Sequence, residues 1–151
     1  MKNARGFGLD ISKDAVKLGR HNAERLELDD RVTFLVSDML GSLPAALHGR
    51  VGVFTIHPPY VARHEVEDLP AEIREFEPHT TLTDGSDDGL GLVRRLAEES
   101  PVFIAPGGWV MVEIGPYLAR KTATILRRAG LRDVTSKKDS LGVTRVVSGR
   151  T

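Results

Sequence analysis

The sequence contains no cysteine, which excludes disulfide bonds and thiolate metal sites. It also lacks a long hydrophobic run: no segment approaches the roughly 18 apolar residues that a membrane-spanning helix needs. The short apolar stretch behind Met1-Lys2-Asn3-Ala4-Arg5 does not have the form of a secretory signal. These absences favour a cytoplasmic protein that makes no contact with a membrane.

Excess charge of either sign is absent as well, because 21 Lys and Arg residues balance 21 Asp and Glu residues. Proteins that hold nucleic acid by neutralising phosphates usually carry an excess of positive charge. The balance therefore argues against nucleic acid as the direct substrate. The five histidines lack the spacing of a metal site such as His-Glu-x-x-His, and no Gly-x-Ser-x-Gly element marks a serine nucleophile. We predict no metal.

What the chain does contain is alternation of strand and helix patterns. Apolar strand-like runs, a helix with its N-cap at Ser12, a helix stopped before Pro101, and a helix closed by Gly130 follow one another. The strands are predicted at Gly6–Asp10, Arg31–Val36, Val51–Ile56, Trp109–Ile114, Leu131–Thr135 and Val143–Ser148. This order predicts one α/β domain over residues 1–151, with a Rossmann-like, doubly wound, mostly parallel sheet and an antiparallel C-terminal hairpin.

Residues 57–88 form a long connection rich in proline, with a short helix predicted at Pro70–Arg74. Connections of this length are usually functional. Asp10, Asp38, His57 and Gly115 each follow a predicted strand. Ligands of such sheets bind at the carboxyl ends of the strands, so we expect these four positions on one edge.

The tetrapeptide His57-Pro58-Pro59-Tyr60 is the most informative feature. A proline keeps itself and the residue before it out of the helical region. The corner is therefore stiff and extended, and its carbonyls are free to accept hydrogen bonds from a substrate NH2 group. Tyr60 offers a flat ring for stacking against a planar group. The alternative is a rigid turn that merely leads out of a strand.

Together with further blocks, the tetrapeptide resembles the glutamine N5-methyltransferases that modify the Gly-Gly-Gln motif of peptide chain release factors, which carry Asn-Pro-Pro-Tyr at this place. The likeness covers nearly the whole chain. The other matching blocks are Gly8-Leu9-Asp10-Ile11-Ser12, Ser37-Asp38, Glu77-Pro78, Asp88-Gly89-Leu90 and Glu113-Ile114-Gly115.

This resemblance implies an S-adenosylmethionine-dependent enzyme that acts on a protein substrate of the release factor type. It implies that Asp10 bonds the ribose hydroxyls of the cofactor and that Asp38 faces the adenine amino group, with Ile11 and Met39 beside them. The acceptor amide would be held by His57, Pro58, Pro59 and Tyr60. The alternatives are that Asp10 is an acid next to a helix N-cap and that Asp38 makes an Asx-turn.

The sequence departs from the family pattern in two places. His57 stands where the family has asparagine, and a neutral imidazole offers one acceptor nitrogen while a protonated one offers none. We hypothesise that His57 weakens amide methylation or redirects the site to another nucleophile, for which it acts as a base.

The second departure is that no Glu-x-Gly-x-Gly-x-Gly element occurs. We therefore expect an N-terminally truncated domain without the first strand, its glycine-rich loop and the N-terminal substrate-binding domain. The missing strand would lie between Gly6–Asp10 and Val51–Ile56, so these two strands either pair directly or leave a gap.

Two other functions stay open on these observations. One is an amino-methyltransferase for a nucleic-acid base, because the Pro-Pro-Tyr corner would stack a base equally well. The other is a non-catalytic methyltransferase-like remnant, to which His57 and the absent glycine-rich loop both point.

Overall fold

The computed structural model describes residues 4–151, which divide into one compact unit that ends at Ala45 and a second that spans Ala46–Thr151. Short 3-10 turns occur at Ala45–Leu47, Arg63–Asp68 and Pro116–Leu118. The regular elements are β1 (Gly6–Asp10), α1 (Lys13–Arg25), β2 (Val32–Val36), β3 (Val51–Ile56), α2 (Ala71–Phe76), α3 (His79–Leu82), α4 (Gly91–Phe103), β4 (Ile104–Glu113), α5 (Ala119–Arg128), β5 (Arg132–Lys138) and β6 (Thr144–Arg150).

The first unit is a β-α-β arrangement in which β1 and β2 run parallel, with Asp10 opposite Val36. Ser12 caps α1, since its hydroxyl accepts a hydrogen bond from the Ala15 N–H at 3.2 Å. The predicted first strand and the predicted N-cap are both confirmed. The second strand begins at Val32 rather than Arg31.

Glycine allows α1 to lie close to this pair of strands. A Cβ atom at Gly8 or Gly19 would come within 2.4 or 2.5 Å of the Phe34 ring, which fills the space that both glycines leave. The Arg20 guanidinium donates to the Phe34 carbonyl at 2.7 Å and so fixes the helix from its polar side.

The second unit contains a four-stranded sheet in the order β3-β4-β6-β5. β3 and β4 are parallel, whereas β4-β6 and β6-β5 are antiparallel, so the predicted C-terminal hairpin is confirmed. The core of this unit is built on β4, where Val110 and Val112 are fully buried with Ile114 just beyond the strand. The helices contribute Leu96 and Leu126 to the same apolar interior.

Several predicted boundaries differ from the structure, most of all around α4 and β4. α4 was expected to stop before Pro101, and this is wrong, because the helix continues to Phe103 with Pro101 inside its last turn. Proline has no backbone N–H, so at this position the helix loses one backbone hydrogen bond. The loss is small in the last turn, where some carbonyl groups have no intrahelical partner in any case. The strand predicted at Trp109–Ile114 begins at Ile104 instead, so Pro106, Gly107 and Gly108 lie within β4, whose pairing with β3 skips from Ile104 to Trp109 at this point.

β1 and β3 belong to different sheets, since β1 pairs with β2 and β3 pairs with β4. The alternative that these two strands pair directly is therefore wrong for the described chain. No helix within residues 4–151 combines the length and the apolarity that crossing a membrane requires.

Thr122 provides a test of the core. It lies in α5 with no exposed surface, and its hydroxyl has no hydrogen-bond partner among the described residues. The substitution Thr122→Val replaces this hydroxyl with a methyl group. It should leave the free energy of unfolding unchanged or raise it by about 1 kcal/mol, because an unbonded polar group is removed from the interior. Urea denaturation measures this change.

The matched control is Thr122→Ser, which keeps the hydroxyl and deletes a methyl group. It should lower stability by about 1 kcal/mol. A valine variant that is less stable than the serine variant would contradict the assignment of an unbonded hydroxyl.

Candidate active site

The predicted acceptor corner follows β3 directly. His57 is exposed, Pro58 is buried, and Pro59 and Tyr60 are half-buried. The rings of His57 and Tyr60 lie near each other, with centroids 5.9 Å apart and planes inclined by 42°. The structure thus brings the imidazole and the phenol of the tetrapeptide to one place.

Backbone hydrogen bonds hold the chain just beyond the corner. The Val61 N–H donates to the Leu82 carbonyl at 3.0 Å, and the Arg63 N–H donates to the Ser86 carbonyl at 2.9 Å. The Arg63 side chain also reaches Asp87, with a nitrogen–oxygen distance of 2.7 Å. The segment that returns towards α4 therefore lies along the segment that leaves the corner.

Gly89 makes the closest contact between these two segments. Its φ of +65° suits glycine, and a Cβ atom built there would lie 2.0 Å from the Tyr60 carbonyl oxygen. No other residue fits this position without moving the corner. The Asp88-Gly89-Leu90 block, which the sequence singled out for its family likeness, thus contacts the tetrapeptide itself.

The same block begins α4, and a carboxylate and a hydroxyl cap the helix. Asp84 Oδ2 accepts from the Leu92 N–H at 2.8 Å, while Ser86 Oγ accepts from the N–H groups of Leu90 and Gly91. Partial burial raises the pKa of Asp84, but hydrogen bonds from Ser86 and from the backbone of Leu92 and Gly91 outweigh it, so the pKa is below its usual value. The capping carboxylate is consequently charged at neutral pH.

Asp88 joins the block to the next turn of the helix through two hydrogen bonds from the Arg94 guanidinium. The Arg94 hydrogen bond lowers the pKa of Asp88, and the same contact raises the pKa of Arg94. An ion pair therefore fixes Asp88, the residue before Gly89, to α4.

A second tyrosine lies beside the corner. β4 runs parallel to β3, with Val112 opposite Ile56, and Gly115 follows its end. A Cβ atom at Gly115 would lie 2.8 Å from Cε1 of Tyr117 and 3.3 Å from Cε2 of Tyr60. Both tyrosines of the chain thus flank this glycine.

Sequence reasoning missed Tyr117, although the signal was available. It follows a strand-end glycine and a proline, on the edge where ligands of such sheets bind. Burial, then the charge of Glu65 and then Tyr60, raise the pKa of the Tyr117 phenol. The group therefore stays protonated at neutral pH.

In the first unit, the predicted cofactor residues lie at the carboxyl ends of β1 and β2. Asp10 Oδ1 accepts from the Ser12 N–H at 2.8 Å, and Oδ2 accepts no hydrogen bond from any described residue. Asp10 and Ile11 are both exposed. Asp10 is thus an acid beside the helix N-cap that also keeps a free carboxylate oxygen, which suits a ribose diol.

The loop after β2 carries Asp38 and Met39. Met39 has a φ of +50°, a conformation that is uncommon outside glycine and that often occurs at ligand sites. The buried Ser37 fixes it, because its hydroxyl donates to the Met39 carbonyl at 2.8 Å. The Ser37 N–H bonds the Asp10 carbonyl at 2.9 Å, so the loop adjoins the end of β1.

The four predicted edge positions therefore come together in pairs, Asp10 with Asp38 in the first unit and His57 with Gly115 in the second. Their roles stay predictions.

Within residues 4–151, no group of three or more His, Asp or Glu side chains is arranged to hold a metal ion. Shallow hollows between α1 and β2 of the first unit contain none of the predicted site residues.

Comparison with known proteins finds curated relatives that share one name. No family model matches the chain. The chain is 38% identical over 146 residues to the release factor glutamine methyltransferase of Bradyrhizobium diazoefficiens. The match covers 96% of this chain and 48% of that protein. The enzyme of the same name from Geobacter sulfurreducens is 34% identical, with 99% of this chain and 51% of the relative covered. The chain thus spans about half the length of the curated relatives it matches.

Solved structures show the fold. A methyltransferase from Pyrococcus furiosus superposes with a TM-score of 0.69 at 17% identity, covering 98% of this chain and 63% of that one. A SAM-dependent methyltransferase from Aquifex aeolicus gives 0.62 at 15% identity, with 97% and 68% covered. The predicted Rossmann-like α/β class, in the form found in class I methyltransferases, is confirmed.

Gly89 gives a test of how the corner is held. Gly89→Ala should lower the free energy of unfolding by roughly 2–5 kcal/mol, because backbone strain at positive φ adds to a collision with the Tyr60 carbonyl. The matched control is Gly85→Ala, which has a φ of +79° but no atom within 4 Å of the new Cβ. It should cost only about 1–2 kcal/mol. Equal losses in urea denaturation would show that the close approach contributes nothing.

Proposed function

Since this chain is a homologue of the release factor glutamine methyltransferases, we propose that it transfers a methyl group from S-adenosylmethionine to a glutamine amide of a protein substrate of the release factor type. The observation that carries the proposal is the stiff corner at His57-Pro58-Pro59-Tyr60, held against Gly89. Homology to bacterial enzymes of translation supports the cytoplasm as the place of the reaction.

The acceptor needs orientation, because the lone pair of an amide nitrogen is delocalised into its carbonyl. In the proposed arrangement the His57 imidazole and the Pro58 carbonyl accept the two amide hydrogens, and the ring of Tyr60 lies against the amide plane. No described residue donates a hydrogen bond to the Pro58 carbonyl, so this acceptor is available. Positioning of this kind lowers the barrier without any covalent role for the protein.

The cofactor would be held by the first unit. Asp10, through its free Oδ2, suits the ribose hydroxyls, and Asp38 suits the adenine amino group. Ile11, with 64% of its surface exposed, and Met39 offer apolar contacts beside them. When bound, S-adenosylmethionine supplies a methyl group activated by its sulfonium centre.

The second candidate is methylation of an exocyclic amino group on a nucleic-acid base. The pair of tyrosines around Gly115 favours it, because two rings suit a flat base as well as an amide. The charge balance of the chain counts against it. A single-stranded oligonucleotide offered beside the peptide substrate decides between the two acceptors.

His57 is the residue on which the rate should depend. His57→Asn replaces the acceptor nitrogen of a larger ring with the amide oxygen that the family has at this place, so methylation of a Gly-Gly-Gln peptide should rise by up to about tenfold, the difference between a poorly and a well-placed hydrogen bond. Transfer of a radiolabelled methyl group measures the rate. His57→Ala, which removes the acceptor, serves as the control and should show no increase. An unchanged rate in His57→Asn would sink the hypothesis that His57 limits the reaction.

Asp10 is the corresponding residue for the cofactor. Asp10→Asn keeps the oxygen that bonds Ser12 but loses the charge, so affinity for S-adenosylmethionine should fall roughly tenfold or more. Calorimetric titration measures the affinity. Asp14→Asn, in the first turn of α1, is the matched control and should bind as the original chain does. No binding at millimolar cofactor would remove both enzyme functions for this chain and leave the non-catalytic alternative.

A further inference from the structure

Tyr117 has no part in the proposed glutamine methylation, yet it borders the acceptor corner. We propose that Tyr117 contributes to acceptor specificity, with its ring beside that of Tyr60 and its hydroxyl donating a hydrogen bond to the carbonyl oxygen of the acceptor amide. This inference rests on the proposed function. It assigns the preference for an amide over an amine to a residue outside the tetrapeptide.

The first support is the geometry around Gly115. Gly115 is buried, and a Cβ atom there would lie 2.8 Å from the Tyr117 ring and 3.3 Å from the Tyr60 ring, so both rings approach this glycine. Any side chain there would push the rings apart. The glycine thus allows the Tyr117 ring to lie beside the Tyr60 ring at the acceptor corner.

The second support is the way the short turn presents Tyr117. The Leu118 N–H bonds the Gly115 carbonyl at 3.0 Å, and Leu118 is almost fully buried. Pro116 occupies the first position of the turn. Tyr117 is therefore held between two fixed neighbours, while 63% of its surface stays exposed and within reach of a substrate.

The third support is the hydrogen-bonding inventory of an amide. Its NH2 group has two donors, which His57 and the Pro58 carbonyl can accept, and its carbonyl needs a donor. Glu65, which acts electrostatically on Tyr117, is a carboxylate and only accepts; one of its oxygens already takes the Ala62 N–H at 3.2 Å. The phenols of Tyr60 and Tyr117 are the nearby donors, and because the Tyr60 ring is proposed to lie against the amide plane, Tyr117 is the residue proposed to donate to the amide carbonyl.

Such a donor would discriminate between acceptors. A glutamine amide takes this hydrogen bond through its carbonyl, whereas a primary amine such as a lysine side chain has no carbonyl to accept it. The amide therefore gains the net worth of one hydrogen bond over the amine. Tyr117 would therefore favour glutamine over lysine.

The test compares steady-state kinetics of the full chain with S-adenosylmethionine and a Gly-Gly-Gln peptide. Tyr117→Phe keeps the ring and removes the hydroxyl, so KM for the peptide should rise about 3–10-fold, with a smaller change in kcat. Tyr117→Leu, which also removes the ring, should lower kcat/KM further. Ser140→Ala, an exposed hydroxyl loss in the same unit, is the control and should change neither constant. Unchanged KM and kcat in Tyr117→Phe overturn the inference and leave the proposed function intact.

A binding measurement distinguishes a failure of the inference about Tyr117 from a failure of the proposed function. If the original chain transfers no methyl group to the peptide, the proposed function fails, and N-acetylglutamine methylamide then serves as a probe by nuclear magnetic resonance titration. A Kd that is 3–10-fold weaker in Tyr117→Phe supports the amide site. Equal affinity in both proteins, or no binding to the original chain, overturns it.

Discussion

The approach of Gly89 to the carbonyl of Tyr60 is the contact on which the rest of the second unit's site depends. A Cβ atom would lie 2.0 Å from that oxygen, so the two segments can come together only where a glycine stands. The approach sets the position of the corner relative to α4. The hydrogen bonds from Val61 to Leu82 and from Arg63 to Ser86 follow from the same alignment of the two segments.

This contact also connects the candidate acceptor site to the hydrophobic core. Leu90, next to Gly89, is buried at the start of α4, and Asp84 and Ser86 satisfy the free N–H groups of that helix. The corner is stiff because of its own prolines and is placed by a capped helix that is itself anchored in the interior. An acceptor site that works by orientation needs such support, since small displacements of the reacting groups reduce the rate strongly.

The histidine at position 57 is the exception to this arrangement. The residues that hold the corner match the family pattern, whereas the residue that would touch the amide does not. The residues that hold the corner in place can therefore be kept while the residue proposed to contact the amide changes. The phenol of Tyr117 approaches Gly115 together with Tyr60, so in the proposed arrangement it would add a donor that the tetrapeptide alone does not imply.

Sequence alone determined the order of strands and helices, because apolar periodicity, the Ser12 cap and the Gly130 stop are local signals. It also identified His57-Pro58-Pro59-Tyr60, since proline restricts the backbone wherever it occurs. It placed the end of α4 wrongly, because packing of a helix end can override the local effect of Pro101. Tertiary structure alone decided that Gly89 contacts Tyr60 and that Tyr117 faces the same glycine as Tyr60. The approaches of Tyr60 to Gly89 and to Gly115 join residues 29 and 55 positions apart in the numbering, and no local pattern specifies which distant group will fill the space beside a glycine.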